Sequence, residues 1–150
     1  MKPLVIYTDL DGSLLDHDDY SHQAADPLLN MLEADAIPVI PCTSKTRSEL
    51  IPFRAELDNT HPFIVENGAA VFLPKSRFLN QPEDTIEQDE FWVKGFVEPH
   101  AHWLKLLDSV AARYAGMFRS FSRMNTDAIV ELTGLTKTAA EQAAQREYGE

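Results

Sequence analysis

The chain has 150 residues, is 44% hydrophobic and carries a formal net charge of −11. That length allows one ordinary domain or a domain with an insert, and that apolar content supports a real core. The acidic balance excludes nucleic acid and anionic membrane surfaces as partners, but leaves small phosphorylated molecules open, because local cations decide their binding. No apolar run approaches the ~20 residues of a membrane span, and the N-terminus enters an apolar stretch at once, without a signal-peptide pattern. The single cysteine, Cys42, excludes an internal disulfide. Together these features favour a reducing cytoplasm.

In chain order, Leu4, Val5, Ile6 and Tyr7 predict a strand buried on both faces. It runs into Asp9-Leu10-Asp11-Gly12-Ser13, and residues 17–22 predict a polar flap. A helix is expected over 24–34, with Leu28, Met31 and Leu32 at helical spacing. Residues 37–42 predict a second strand, parallel to the first through a right-handed crossover. Thr46 and Glu49 form a capping box for a helix reaching Leu57, with Pro52 predicting a kink or a later start. Leu50, Phe53 and Leu57 are its expected buried stripe. Phe63-Ile64-Val65 predicts a third strand, Glu66-Asn67-Gly68 a hairpin turn, and residues 70–73 a return strand. Residues 74–90 read as a connector into a second subdomain. Beyond it come an expected strand over 91–97, a helix over 102–114, and a strand over 117–121. A short helix over 126–132 follows, capped by Thr126 and stopped at Gly134, and then an Ala-rich helix over 136–147.

The chemistry concentrates at the end of the first strand. If the extended path continues, Asp9 and Asp11 share one face, and Gly12 lets the chain turn with positive φ. A carboxylate is a usable nucleophile toward phosphorus, which makes Asp9 the expected nucleophile. Asp11 is the expected general acid and base. Two carboxylates repel a phosphate dianion, so a hard cation, Mg2+, is expected at Asp9 and Asp11, held by the Asp9 carboxylate and the Asp11 backbone carbonyl. Thr43 ends the second strand, where a hydroxyl and the following N–H groups, including that of Ser44, can hold a phosphate. Lys45 and Arg47 supply positive charge at this rim, either for a substrate anion or as a solvated pair. Asn67 and Gly68 end the third strand on the same side, for substrate contact or as a plain turn. The five histidines show no zinc-site spacing.

Asp9-Leu10-Asp11-Gly12-Ser13 resembles the first motif of the haloacid dehalogenase (HAD) superfamily of phosphatases, with Ser13 where Thr is commoner, and Thr43 matches the second motif. Residues 44–47, Phe63 to Ala69, and Leu132-Thr133-Gly134-Leu135-Thr136 with the following helix to Tyr148 are similar to the mannosyl-3-phosphoglycerate phosphatase group of that superfamily. The resemblance implies an α/β fold: a Rossmann-like core of parallel sheet with helices on both faces, and an α/β C2-type cap. Both are expected to be incomplete here, with core over 1–82 and partial cap over 83–150. It implies hydrolysis of 2-O-mannosyl-3-phosphoglycerate, or of a glucosyl counterpart, a small phosphorylated sugar-acid. Arg146 is then a candidate for the substrate's carboxylate or phosphate, or else a surface Arg at a helix end.

The family's later motifs, a Lys and a Gly-Asp or Asp-Asp pair after the cap, are not found in the chain. Its sole Asp-Asp, Asp18-Asp19, lies in the flap. The expectation is therefore an N-terminal portion of a longer protein, whose first strand is left as an exposed apolar edge. The alternatives are a non-catalytic phosphate-binding or interaction module, and, ranked last, a receiver domain, whose acceptor Asp would end the third strand, where Glu66 and Asn67 stand. The oligomeric state is not fixed by these features.

Overall fold

The computed structural model describes residues 4–149. A parallel pair, β1 (Ile6–Thr8) and β2 (Val39–Pro41), is joined by the crossover helix α1 (Asp26–Ala34) in the register Ile6–Val39, Tyr7–Ile40, Thr8–Pro41. A parallel bridge between Cys42 and Ile64 sets β3 (Phe63–Val65) on the other side of β2. β3 turns back into β4 (Ala70–Pro74), and β4 pairs antiparallel with β6 (Phe91–Gly95), which pairs with β5 (Ile86–Gln88). The strands therefore lie side by side in the order β1-β2-β3-β4-β6-β5. The expected boundary between residues 82 and 83 falls inside this sheet, between β4 and β5.

The core sits where the inward residues of β3, β4 and β6 meet helix α2 (Arg47–Glu56). Leu10, Leu50, Phe63, Val65, Phe72 and Val93 are buried together. Phe63 stacks on Phe72 with centroids 5.0 Å apart, and Phe91 meets both rings edge-on. This arrangement aligns edge hydrogens with ring faces and adds to the burial of apolar area.

Helix α2 begins where the capping box places it. The Thr46 hydroxyl accepts from Glu49 N, and the Glu49 carboxylate accepts from Thr46 N at 2.8 Å. Thr46 is fully buried, and its hydroxyl also lies 2.9 Å from the Gln142 carbonyl. Thr46→Val is expected to cost about 1–2 kcal/mol, read as a lower urea midpoint at unchanged slope. The helix runs through Pro52 with no later start. Its buried residues are Leu50 and Arg54, whereas Phe53 and Leu57 are only partly covered.

Several expectations are corrected. The first strand is not buried on both faces: Leu4, Val5 and Tyr7 are exposed, Tyr7 at 64%, because β1 has a strand partner on only one side among the described residues. Helix α1 starts two residues late, has Pro27 in its first turn, and leaves Leu28 and Met31 exposed. Residues 117–121 form no strand; they pass from a turn through irregular chain into a short 3-10 turn. Asn125, not Thr126, caps α4 (Thr126–Thr133), accepting from Ala128 N, while Gly134 does end it, with φ +73. The last helix, α5 (Lys137–Ala143), is shorter than expected, with Thr136 as its cap. Helix α3 (His100–Ala111) begins two residues early and buries no residue fully.

One buried polar group ties α1 to the sheet entrance. His61 is buried, and its Nε2 lies 2.6 Å from Glu33 Oε2 on α1. That hydrogen bond, aided by His61 and Arg77 charge, holds the Glu33 carboxyl below its ordinary 4.5. A depressed carboxyl stabilises the fold above its unfolded value, and that stability is lost as pH falls through the folded one. Because Glu33 is largely exposed, its share is below about 1 kcal/mol. Glu33→Gln is expected to flatten the urea midpoint against pH below 4.5.

Candidate active site

The site is built on the loop that leaves β1. Leu10 is fully buried, and Asp9 and Asp11, on either side of it, are exposed. Both carboxylates therefore reach the outer surface, but from a turn and not from a continued extended strand, because β1 ends at Thr8. Ser13 N and Leu15 N donate to the Leu10 carbonyl at 3.1 and 2.8 Å, which closes the loop, and Leu15 anchors it in the core. Gly12 makes the turn at φ +70. The nearest atom to a Cβ there is 4.0 Å away, so backbone conformation rather than space requires glycine.

Asp9 Oδ1 accepts from Leu10 N at 2.7 Å, and Asp9 makes no ion pair among the described residues. Asp11 is paired: its Oδ2 lies 3.0 Å from Lys45 Nζ. The cation expected at the rim thus reaches the first loop and faces one of its two carboxylates.

Three loops are laced together by backbone. Cys42 N donates to the Thr8 carbonyl at 2.8 Å, which sets the second loop beside the first. Thr43 N donates to Ile64 O, Asn67 N to Thr43 O at 2.9 Å, and Glu66 N to Lys45 O at 3.0 Å, which sets the third loop beside the second. Thr43 is 3% exposed, and its hydroxyl accepts from Lys45 N at 3.2 Å. As an acceptor there, that hydroxyl keeps its own proton for donation. Thr43, Ser44, Lys45, Asn67 and Gly68 are therefore gathered at one end of the sheet, with Ser44 and Asn67 exposed. Glu66, Asn67 and Gly68 take φ of +50, +61 and +90. Three successive left-handed residues, two of them not glycine, are strained backbone held in place by these bonds.

Glu66 is the residue that sequence reasoning missed. It reads as a solvent turn but is buried. Its Oε1 accepts from Glu147 N at 2.8 Å, and its Oε2 accepts from Tyr148 N at 3.2 Å and Gly149 N at 2.6 Å. Arg146 Nε lies 3.5 Å from the same oxygen, buried and without a hydrogen-bond partner. Arg146 is thus set against Glu66, one residue from Asn67. Arg47 is neither a free rim charge nor a solvated one. Its Nε and Nη1 reach Glu147 and Asp89, each at 2.7 Å. Burial opposes its charge, but these two carboxylates prevail and raise its pKa. The neighbouring Tyr148 hydroxyl is pushed up, by burial first and then by Glu147 and Glu66.

No group of three His, Cys, Asp or Glu among the described residues could hold a metal ion. The pair Asp9 and Asp11 nevertheless suits Mg2+, which takes oxygen donors and uses one or two carboxylates, completing its shell with water and substrate phosphate.

A family model described as haloacid dehalogenase-like hydrolase matches residues 6–92. The chain belongs to that family. Two curated relatives of the chain are glucosyl-3-phosphoglycerate/mannosyl-3-phosphoglycerate phosphatases. One, from Methanococcoides burtonii, is 39% identical over 97% of this chain and 54% of its own. The other, from Persephonella marina, is 36% identical over 98% of this chain and 54% of its own. The chain spans about half the length of these relatives. A solved haloacid dehalogenase-like hydrolase from B. subtilis superposes with a TM-score of 0.51 over 97% of this chain and 53% of its own, at 16% identity, which shows the shared α/β fold.

Proposed function

We propose that this chain forms the first part of a Mg2+-dependent phosphomonoester hydrolase that works through an aspartyl-phosphate and acts on mannosyl-3-phosphoglycerate or its glucosyl counterpart. The observation that carries the reading is the pair of outward carboxylates flanking buried Leu10, laced to the Thr43 loop. The named relatives support the substrate class.

A carboxylate oxygen of Asp9 attacks phosphorus, and the P–O bond to the glycerate oxygen breaks as Asp11 gives that oxygen a proton. Asp11 then takes a proton from water, whose oxygen attacks phosphorus and frees Asp9 and inorganic phosphate. The Thr43 hydroxyl and the Ser44 N–H hold the phosphate oxygens, while the Lys45 N–H fixes the Thr43 hydroxyl. Lys45 is shared between Asp11 and the incoming anion, Asn67 and Gly68 border the substrate, and Arg146 meets its carboxylate. The Asp9 carboxylate and the Asp11 backbone carbonyl would hold Mg2+, which would supply neutralising charge between carboxylates and phosphate. The division into core over 1–82 and cap over 83–150 stays a proposal, and it must accommodate a sheet that continues to Gly95. Among the described residues no helix is long and apolar enough to cross a membrane; a cytoplasmic location is proposed from the single cysteine.

The test is phosphate release from the mannosyl and glucosyl substrates by the longer protein that includes this chain, with Mg2+ and with excess chelator. Release with Mg2+ that stops on chelation and returns on adding Mg2+ is expected. Release that persists without a divalent cation, or no release from either substrate, overturns the reading.

A further inference from the structure

A second cavity lies between the C-terminal half of α2 and the start of β6, and shares no residue with the candidate active site. Its volume is about 610 Å³, within the ~300–1,000 Å³ typical of small-molecule sites. Ile51, Ala55 and Phe91 give it apolar wall, and Arg54 gives it a buried cation.

Arg54 is an unusual charge. It is only 6% exposed, and its guanidinium sits 4.2 Å from the centre of the Phe63 ring. Its Nη2 donates to the His61 carbonyl, but its Nε is buried with no partner, and no carboxylate pairs with it among the described residues. The nearby acids are committed elsewhere: Glu33 to His61 and Arg77, and Glu87 to Lys75. Glu90 lines the cavity without an ion pair to Arg54. Burial alone draws the guanidinium down to about 10. A buried charge is normally paired or fully hydrogen-bonded, because desolvation is costly.

We propose that this cavity binds a small amphipathic anion, an apolar body bearing one carboxylate or phosphoryl group, with Arg54 as its counter-charge. The anion sets its charge against the guanidinium from the cavity side while the apolar body covers Ile51, Ala55 and Phe91. Ser76, also on the lining, stands where an introduced carboxylate would repel it.

The experiment titrates this chain with benzoate, phenylphosphonate and uncharged benzyl alcohol, and follows amide chemical shifts. Saturable shifts at Ile51, Ala55 and Ser76 are expected with one or both anions, and the better anion names the headgroup. Benzyl alcohol should bind at least about tenfold more weakly. Arg54→Met and Ser76→Asp should weaken anion binding by a similar factor, and Asp9→Asn should leave it unchanged. If Arg54→Met does not fold, Ser76→Asp alone decides. The proposal fails if no anion saturates, or if benzyl alcohol binds equally well. It also fails if the substitutions leave binding intact, or if the shifts gather at residues 9–13 and 43–45 instead.

Discussion

On the proposed mechanism, Asp9→Asn is expected to lower phosphate release from mannosyl-3-phosphoglycerate by at least ~1,000-fold in the longer protein, because the amide would not form the acyl phosphate. The fold should be indifferent to the change. Asp9 is exposed, its one side-chain hydrogen bond is to the next residue's N–H, and Asn keeps an acceptor for that bond. Far-UV circular dichroism and the urea midpoint should match the parent. Asp11→Asn is expected to lose about 100- to 10,000-fold, but differently. A nitrophenyl phosphate, whose leaving group needs no proton, should restore the first step in Asp11→Asn and not in Asp9→Asn. Equal rescue of both, or an Asp9→Asn variant with parental turnover, removes Asp9 as nucleophile. Asp11→Asn also breaks the pair with Lys45, so its KM should move as well as its kcat.

The second large effect is on stability. Glu66→Ala strips three backbone N–H groups of their acceptor and leaves the Arg146 guanidinium without its buried partner. Breaking a buried ionic contact of this kind costs about 3–5 kcal/mol, a large part of the ~5–15 kcal/mol that holds a domain together. Glu66→Gln should cost less but not little. Both carboxylate oxygens accept from N–H groups, and an amide offers only one oxygen. Urea denaturation reads the loss, and amide exchange should localise the loosening to 146–149, 66–67 and 43–45. An unchanged midpoint in Glu66→Ala would show that the buried carboxylate contributes nothing.

The loop geometry of the candidate site was legible because its signals are short-range. Asp9, Leu10 and Asp11 alternate, Gly12 turns, and Thr46 with Glu49 makes a capping box within four residues, so local patterns settle each of them. The same holds for the β3–β4 hairpin, whose Asn67-Gly68 sits between apolar runs. What local pattern could not supply was partnership. Glu66 finds its donors about eighty residues away, and nothing near it in the chain marks it as buried. Arg47 looked like a rim charge because Asp89 and Glu147 lie 42 and 100 residues away in the chain. Leu4 to Tyr7 read as a fully covered strand because composition reports what a strand can bury, not whether a neighbour lies on each side. Residues 117–121 have strand-like letters but pair with no strand among the described residues, so propensity alone did not make a strand there.

The carboxylate at position 66 also fixes how this chain can be dissected. Cutting after Gly95 would spare every strand, yet it would remove Glu147, Tyr148 and Gly149, the amides that lock the left-handed turn shut. Limited digestion between α3 and α4 with the fragments kept together should therefore be tolerated. Separating those fragments should unravel the turn from which Asn67 reaches back to the Thr43 carbonyl.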